Sequence, residues 1–202
     1  IDRHGRYAFG NQHKIGYWNL TVFAGTLLPF IDTDKDKAIE LVQNILNQFP
    51  IEYSNKWYEM MYKKLGIIDP IEEDKLLIAN LLKLMEFHKA DYTNTFAALT
   101  LNEVDKGPLF SSNEFINWKK KWKERVKNNK NIYKIMQMNN PMYIPRNHLV
   151  EEALKNAING NNKEFDKLLN LMSDTYNYNS KHHEFQTIPE GFDESYKTFC
   201  GT

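Results

Sequence analysis

The 202-residue sequence is poor in the features on which secreted and membrane proteins depend. Cys200 is its single cysteine, so no disulfide can form within the chain and nothing requires an oxidising compartment. No apolar run reaches the roughly 20 residues that span a bilayer, and residues 1–5 (IDRHG) do not resemble a signal peptide. We therefore expect a soluble, cytoplasmic chain with no membrane partner. The absence of an initiating methionine fits a piece of a longer protein.

The sequence also lacks an excess of charge and the motifs of nucleotide enzymes. Lys plus Arg and Asp plus Glu both total 26, so no overall field favours a nucleic-acid partner. The 9 glycines are scattered and form no phosphate-binding loop. The paired Asp and Asn of a kinase-type catalytic loop and an Asp-Phe-Gly triplet are missing as well. We therefore expect this chain to bind no cofactor and no metal by itself.

What the sequence does contain is a helical pattern of apolar residues along most of its length. Hydrophobic residues make up 42% of the chain and aromatic residues 13%, which is ample for a packed core. The apolar residues recur at steps of three and four, and no strand-like alternation of useful length appears. The pattern predicts an all-α fold.

Apolar stripes and start and stop signals place the individual helices. The first stripe runs from Tyr17 to Ile31, and the second runs from Ala38 to Phe49, where Pro50 interrupts or ends the helix. A third runs from Trp57 to a C-cap at Gly66. Further along, the signals are an N-cap at Asp69 with Pro70 in the first turn, a short helix over 92–101, a break at Gly107-Pro108, and a cap at Ser111 or Ser112 before a helix carrying Trp118 and Trp122.

The last predicted helices form a hairpin. Val150 to Ile158 is one stripe, which Gly160 closes, and Asn161 or Asn162 can cap the next helix. That helix is expected to face the core with Phe165, Leu168, Leu169 and Met172. From residue 173 to 202 the periodicity is lost, which predicts an irregular tail lying over the domain.

Two segments have partial metal-binding patterns. Residues 32–36 (DTDKD) resemble a calcium loop, but Lys37 occupies the glycine position and Gln43 the glutamate position, so an acidic helix N-terminus is the better interpretation. His148 and Glu151 or Glu152 have helical metal-ligand spacing, but no third ligand is evident.

Two other segments have partial binding or catalytic patterns. Lys119, Lys120 and Lys121 lie between two tryptophans, a pattern also found in proteins that bind single-stranded nucleic acid. The tryptophans are four residues apart and so share a helix face, which favours a core role with solvated lysines. Cys200 stands two residues from the end with only Lys197 nearby to activate it, which argues against a catalytic thiol.

Four blocks, in order and spacing, resemble the selenoprotein O family of protein adenylyltransferases. They are residues 5–12 (GRYAFGNQ) with 16–20 (GYWNL), 90–96 (ADYTNTF) with 98–100 (ALT), 140–141 (NP) with 144–148 (IPRNH) and 150–154 (VEEAL), and 196–202 (YKTFCGT). The resemblance implies a protein-kinase-like fold in the complete protein. Residues 1–101 would be C-lobe helices after the activation segment, 102–172 a family-specific helical extension, and 173–202 the irregular tail of one helical unit.

The resemblance also implies an activity for the complete protein in the bacterial cytoplasm. Members transfer AMP from ATP, with Mg or Mn, to Ser, Thr or Tyr hydroxyls of protein substrates. The family's nucleotide-binding and metal-binding groups lie upstream of Ile1, so we expect the chain to be an inactive scaffold whose partner is the N-terminal kinase-like part. Apolar surface near residues 5–31 would then be exposed, and the isolated chain would dimerise through it.

By the same resemblance, Arg6, Tyr7, Asn11 and Gln12 would brace the floor of the active site. The alternative is that they satisfy backbone groups at a turn and a helix end. Cys200 corresponds to a redox-active C-terminal position, although this chain has no second thiol.

Some structural roles and rival functions complete the expectations. Arg146 and Asn147 would tie the last hairpin to its neighbours, and Tyr17 and Trp18 would lie in the core. The rival functions are a non-enzymatic helical interaction module and, more weakly, nucleic-acid binding through Lys119 to Lys123.

Overall fold

A computed structural model describes residues 5, 8–103, 107–178, 183–189, 191–192 and 196. Within these ranges the chain forms ten α-helices and two short 3-10 helices and no strand, which confirms the all-α prediction. The chain divides into two compact units, with the boundary between Glu59 and Met60 inside one helix. The predicted divisions at residues 101 and 172 separate C-lobe helices, helical extension and tail by their resemblance to the family. The two compact units do not test these divisions, so they stay predictions. None of the described helices has both the length and the hydropathy to cross a membrane.

The first unit is built from a 3-10 turn, Phe9–Asn11, followed by α1 (Gln12–Ile31), α2 (Lys35–Leu46) and the first part of α3 (Phe49–Lys64). Asp34 caps α2 by accepting the N–H groups of Asp36 and Lys37, which confirms the acidic helix N-terminus. Pro50 lies in the first turn of α3, where the missing N–H costs nothing, and α2 has already ended at Leu46. The prediction that Pro50 ends the second helix is therefore wrong.

The second unit carries most of the buried core. Its helices are the end of α3, α4 (Glu72–Phe87), α5 (Tyr92–Leu101), α6 (Pro108–Ser111), α7 (Asn113–Val126), α8 (Ile132–Asn139), α9 (Asn147–Ile158) and α10 (Lys163–Met172), followed by a 3-10 turn, His183–Phe185.

The two tryptophans of α7 form the centre of this core. Trp118 and Trp122 are buried, and their rings stack with centroids 5.9 Å apart. Their indole N–H groups donate to the carbonyl oxygens of Leu77 and Leu65, at 2.8 and 2.9 Å. The core role predicted for these rings is confirmed. Ser112 caps α7 by accepting from the N–H of Phe115.

The start of α4 differs from the sequence-based prediction. Asp69 does not cap the helix but has a left-handed backbone (φ 50°), and α4 begins at Glu72. The carboxylate of Asp74 accepts the N–H of Ile71 at 2.9 Å and binds the guanidinium of Arg125 through two bonds of 2.8 and 2.9 Å. This carboxylate is 2% exposed, so one buried side chain both caps α4 and fastens it to α7.

Gly66 ends α3 as predicted. Its φ is +65°, its N–H donates to the carbonyl of Lys63, and the N–H of Ile67 donates to the carbonyl of Tyr62, which together make a Schellman motif. A Cβ at this position would lie 2.5 Å from Cγ1 of Ile132, so α8 packs directly on the glycine. Both the backbone and the packing therefore require glycine here.

The predicted hairpin is α9 and α10, closed by Gly160 at φ +81°. Its core cluster consists of Met142, Tyr143, Ala153, Leu168 and Phe185. The predicted core face of α10 is partly wrong: Leu169 is 59% exposed and Phe165 41%, because the inward stripe is Leu168 with Leu171 and Met172. Phe185 brings the described part of the tail onto this cluster.

Candidate functional site

Buried polar side chains of the second unit converge on α5, and we treat this network as the candidate functional site. It has two parts, one centred on Asn140 near the C-terminal end of α5 and one centred on Arg146 near its N-terminus. Both residues lie in the block of residues 140–148, and α5 begins in the block of residues 90–96. Two of the four segments that carry the family resemblance thus meet inside the second unit.

Asn140 uses every polar atom of its side chain. Its Nδ2 donates to the carbonyl of Lys64 and to Oγ1 of Thr100, both at 2.9 Å, and its Oδ1 accepts from Nζ of Lys64 at 3.1 Å. Its backbone carbonyl accepts from the Tyr178 hydroxyl at 2.9 Å. Because the residue is 0% exposed, each of these bonds replaces one that water would otherwise make. Asn140 therefore joins the end of α3, α5 and the tail.

Lys64 is a buried cation without an acidic partner among the described residues. It is 8% exposed, and its Nζ lies 4.9 Å from the ring centroid of Phe96 and 5.4 Å from that of Tyr92. Burial lowers the pKa of Lys64 to about 8 from its ordinary 10.5. The ring faces and the Asn140 amide stabilise the charged form in place of a carboxylate. Burial also raises the pKa of the neighbouring Tyr92.

Arg146 holds the beginning of α5. Its two terminal nitrogens donate to the carboxylate of Asp91 at 2.6 and 3.1 Å, and one of them also donates to Oδ1 of Asn94 at 3.2 Å. Asp91 simultaneously caps α5 by accepting the N–H of Asn94 at 2.7 Å. The Asn94 amide donates to the carbonyl of Gln186 at 2.9 Å. The predicted tie between the last hairpin and its neighbours is confirmed for Arg146.

The chemistry available in this network is positioning. It contains a bidentate ion pair, a helix cap and a satisfied amide, which fix three chain segments relative to one another. No group of three or more His, Cys, Asp or Glu side chains suited to a metal occurs in the described ranges, and this includes residues 32–36 and the neighbourhood of His148. Glu151 accepts a hydrogen bond from Tyr196 at 3.1 Å.

Of the residues predicted from the resemblance, Asn11 and Gln12 are described and belong to the first unit. Asn11 donates from Nδ2 to the carbonyl of Gly5 at 2.8 Å and so closes the turn before α1, and Gln12 is the first residue of α1. Arg6, Tyr7 and Cys200 fall outside the described residues. Support of an active site by these residues, and a redox role for Cys200, stay predictions.

Sequence reasoning did not identify Lys64 as a buried group. The signal was present: Lys64 lies three residues after Met61 and seven after Trp57, so it occupies a position of the apolar stripe of α3. A charged residue at such a position means either that the stripe has been assigned wrongly or that the side chain is buried and has polar partners. The pairing of Asp91 with Arg146 was not predicted either, since the two are far apart in the sequence.

The first unit offers a different feature, an apolar helix with little cover. In α1, all of which the structure describes, Ile15 alone is buried, whereas Phe30 is 87% exposed, Phe23 60% and Val22 50%. The exposed apolar surface expected near residues 5–31 is therefore present on α1. Trp18, expected in the core, is 51% exposed, so that prediction is wrong. Tyr17 is half-buried and packs against Phe49.

Comparison with known proteins places the chain among proteins named as protein nucleotidyltransferases. Residues 1–173 match the family described as protein adenylyltransferase SelO, and the chain belongs to this family. It is 45% identical to the protein nucleotidyltransferase YdiU of Geobacillus kaustophilus (strain HTA426) over 100% of this chain and 43% of that protein. It is 42% identical to the YdiU of Bacillus thuringiensis subsp. konkukian (strain 97-27), over 100% of this chain and 42% of the relative. The chain thus spans less than half the length of these relatives.

Proposed function

We propose that this chain is the C-terminal scaffold of a protein adenylyltransferase, which transfers AMP from ATP to Ser, Thr or Tyr hydroxyls of target proteins. Family membership and the 42–43% coverage of the relatives support the proposal, because more than half of each relative's length is available to hold a nucleotide site. The complete protein would use ATP with Mg or Mn, and no residue of this chain is assigned to binding them. In this proposal the chain alone is inactive.

The observation that carries the proposal is the exposed apolar surface of α1. The helix has 20 residues and contains no Asp, Glu or Arg; His13 and Lys14 are its only basic residues, and its apolar side chains point in several directions around the axis. A helix that is apolar on all sides is normally an interior helix. We therefore propose that the remaining, kinase-like part of the polypeptide packs on α1, which would make α1 a central helix of a kinase-like C-lobe.

The network around α5 would contribute stiffness to this scaffold. Asn140 and Arg146 fix α5 to α3, to the segment before α9 and to the tail. A catalytic site tolerates displacements of only about 0.5 Å, so the elements beneath it have to be held by packing and by satisfied hydrogen bonds.

The test is incorporation of AMP from α-labelled ATP into protein substrate. We expect incorporation by the complete protein and by the 202-residue chain co-expressed with the missing part, and none by the 202-residue chain alone. Substituting Phe23→Asp and Phe30→Asp in α1 should abolish both co-purification of the two parts and incorporation. The control is Ile158→Asp at the end of α9, which changes an equally exposed apolar side chain (86%) and should leave both intact.

Three results would contradict the proposal. AMP transfer or ATP binding by the 202-residue chain alone would show that the nucleotide groups lie within it. Co-purification that survives both α1 substitutions would show that the missing part packs elsewhere. If light scattering shows that the isolated chain is strictly monomeric, this would also count against the proposal that another surface packs on α1.

A further inference from the structure

We propose that a groove along α7 is a docking site for an acidic peptide segment that inserts a large apolar side chain. We call it the lysine groove; its volume is about 240 Å³, and it is lined by Phe110, Phe115, Ile116, Lys119, Lys120 and Lys123. The inference concerns binding only, so it is independent of the proposed AMP transfer.

The floor of the lysine groove is apolar and the rim is cationic. Phe110 and Phe115 are 6% and 1% exposed and form a fixed base with ring centroids 4.8 Å apart, while Ile116 is 41% exposed at the side. Lys120 and Lys123 are exposed and Lys119 is half-buried. A groove of this size accommodates one or two side chains, which is the scale of an anchor residue in peptide recognition.

The three rim lysines have no carboxylate partner among the described residues. Of the two acidic residues of α7, Glu124 pairs with Lys127, and Glu114 lines a separate groove on the opposite flank. Lys119 and Lys123 are four residues apart and therefore neighbours on the helix surface. Burial and the nearby charge of Lys123 lower the pKa of Lys119. The rim therefore repels itself in the free chain, and a partner's carboxylates would relieve this repulsion.

The opposite flank of α7 provides an internal comparison. That groove, of about 270 Å³, contains both charges, with Lys83 and Lys121 accompanied by Glu114. The described residues that line the lysine groove carry only positive charge, although the whole sequence has a net charge of zero. The excess of positive charge is therefore confined to one flank of α7, and it favours an anionic partner there.

A peptide fits the lysine groove better than a nucleic acid does. Bases bind by stacking on exposed aromatic faces, and here both phenylalanines are buried while the accessible apolar side chain is the aliphatic Ile116. The rim provides three cations at one place, and Lys127, the next basic residue on this side of the helix, is paired with Glu124. An apolar anchor flanked by aspartate and glutamate matches both the floor and the rim.

The test is fluorescence polarisation with the 202-residue chain and a short labelled peptide that has a central Phe-Leu pair between aspartate and glutamate flanks. We expect micromolar binding that weakens with salt, and no binding of a matched peptide with lysine flanks. Lys120→Glu with Lys123→Glu should weaken binding at least about tenfold, because rim charges govern encounter and register. Ile116→Ser should also weaken binding, but the dependence of the remaining binding on salt should equal that of the wild type. Lys121→Glu, on the other flank, should change it less than about twofold.

Folding of the variants is checked by thermal unfolding, where substitution of these exposed lysines should move the midpoint by less than about 3 °C. Failure of the acidic peptide to bind would overturn the inference, and so would an equal loss of binding in Lys121→Glu. Tighter binding of oligo-dT or of phosphatidylserine vesicles than of the peptide, lost in the same double variant, would also overturn it. These measurements use no ATP, so their failure is distinct from a failure of AMP transfer.

Discussion

Replacing Lys64 by methionine tests the electrostatics of the network around α5. The wild-type lysine is buried with no carboxylate partner in the part of the chain that the structure describes, and its pKa is lowered to about 8. The unfolded chain keeps the ordinary value of 10.5. Between these two values the unfolded state binds more protons than the folded state, so the free energy of unfolding rises with pH. Methionine has nearly the same length and cannot titrate, so Lys64→Met should remove this rise.

The magnitude follows from the two pKa values. Between about pH 7 and about pH 9.5, the Lys64 term should add about 2 kcal/mol to the free energy of unfolding of the wild type, at about 1.4 kcal/mol per pKa unit. Near pH 7 the two proteins should differ little, because the variant avoids burying a charge but leaves Oδ1 of Asn140 without a donor, which costs about 1–3 kcal/mol. The variant should therefore become the less stable protein as the pH rises.

The measurement is urea unfolding followed by circular dichroism across this pH range. Stopping near pH 9.5 limits the opposing effect of Tyr92 and Tyr178, since burial raises the pKa of both hydroxyls and their contribution to stability is lost only at higher pH. Lys134→Met, at an exposed position of α8, is the control and should run parallel to the wild type. If Lys64→Met also runs parallel to the wild type, then Lys64 is not a desolvated cation and the reasoning is wrong.

Two substitutions test the other fixed points of the second unit. Arg146→Ala should lower the free energy of unfolding by about 2–4 kcal/mol, measured by urea unfolding, because it leaves a largely buried carboxylate unpaired; a loss below about 1 kcal/mol would show that the pair is merely a surface contact. Gly66→Ala should lower the free energy of unfolding by at least about 2 kcal/mol, because the φ of Gly66 is +65° and the new methyl group meets α8. The control is Gly160→Ala, at φ +81° with open space around it, which should lower it by only about 1 kcal/mol. Equal losses at the two glycines would show that the α8 contact is not tight.

Much of the fold follows from local signals in the sequence. The helix over 92–101, the cap at Ser112 and the stop at Gly66 are determined by residues within a few positions of each element, so pattern and capping rules locate them. The start of α4 shows where such rules fail. Asp69-Pro70 is a strong start signal, yet the cap comes from Asp74, whose position is fixed by Arg125 on another helix. The rules that favoured Asp69 include only neighbours in the sequence, so they do not include the pairing with Arg125.

The candidate site was less accessible from sequence because its bonds join distant positions. Lys64 with Asn140 and Asp91 with Arg146 each connect residues that no periodicity relates. Exposure on α1 has a different origin. Trp18 belongs to a helix that is apolar on several sides, so the pattern predicts burial without identifying what provides it. If the covering part belongs to the rest of the polypeptide, as proposed, the prediction of burial applies to the complete protein.

The hydrogen bonds made by the tail have a consequence for biosynthesis. The carbonyl of Asn140 is satisfied by Tyr178, the amide of Asn94 by the carbonyl of Gln186, and the N–H of Met142 by the carbonyl of Thr175. During translation α5 and α8 leave the ribosome before these partners, so the groups at Asn94, Asn140 and Met142 can exchange their bonds to water for bonds within the protein only after Thr175, Tyr178 and Gln186 have emerged. Ribosome-bound chains that stop short of this segment should therefore be the ones that engage chaperones.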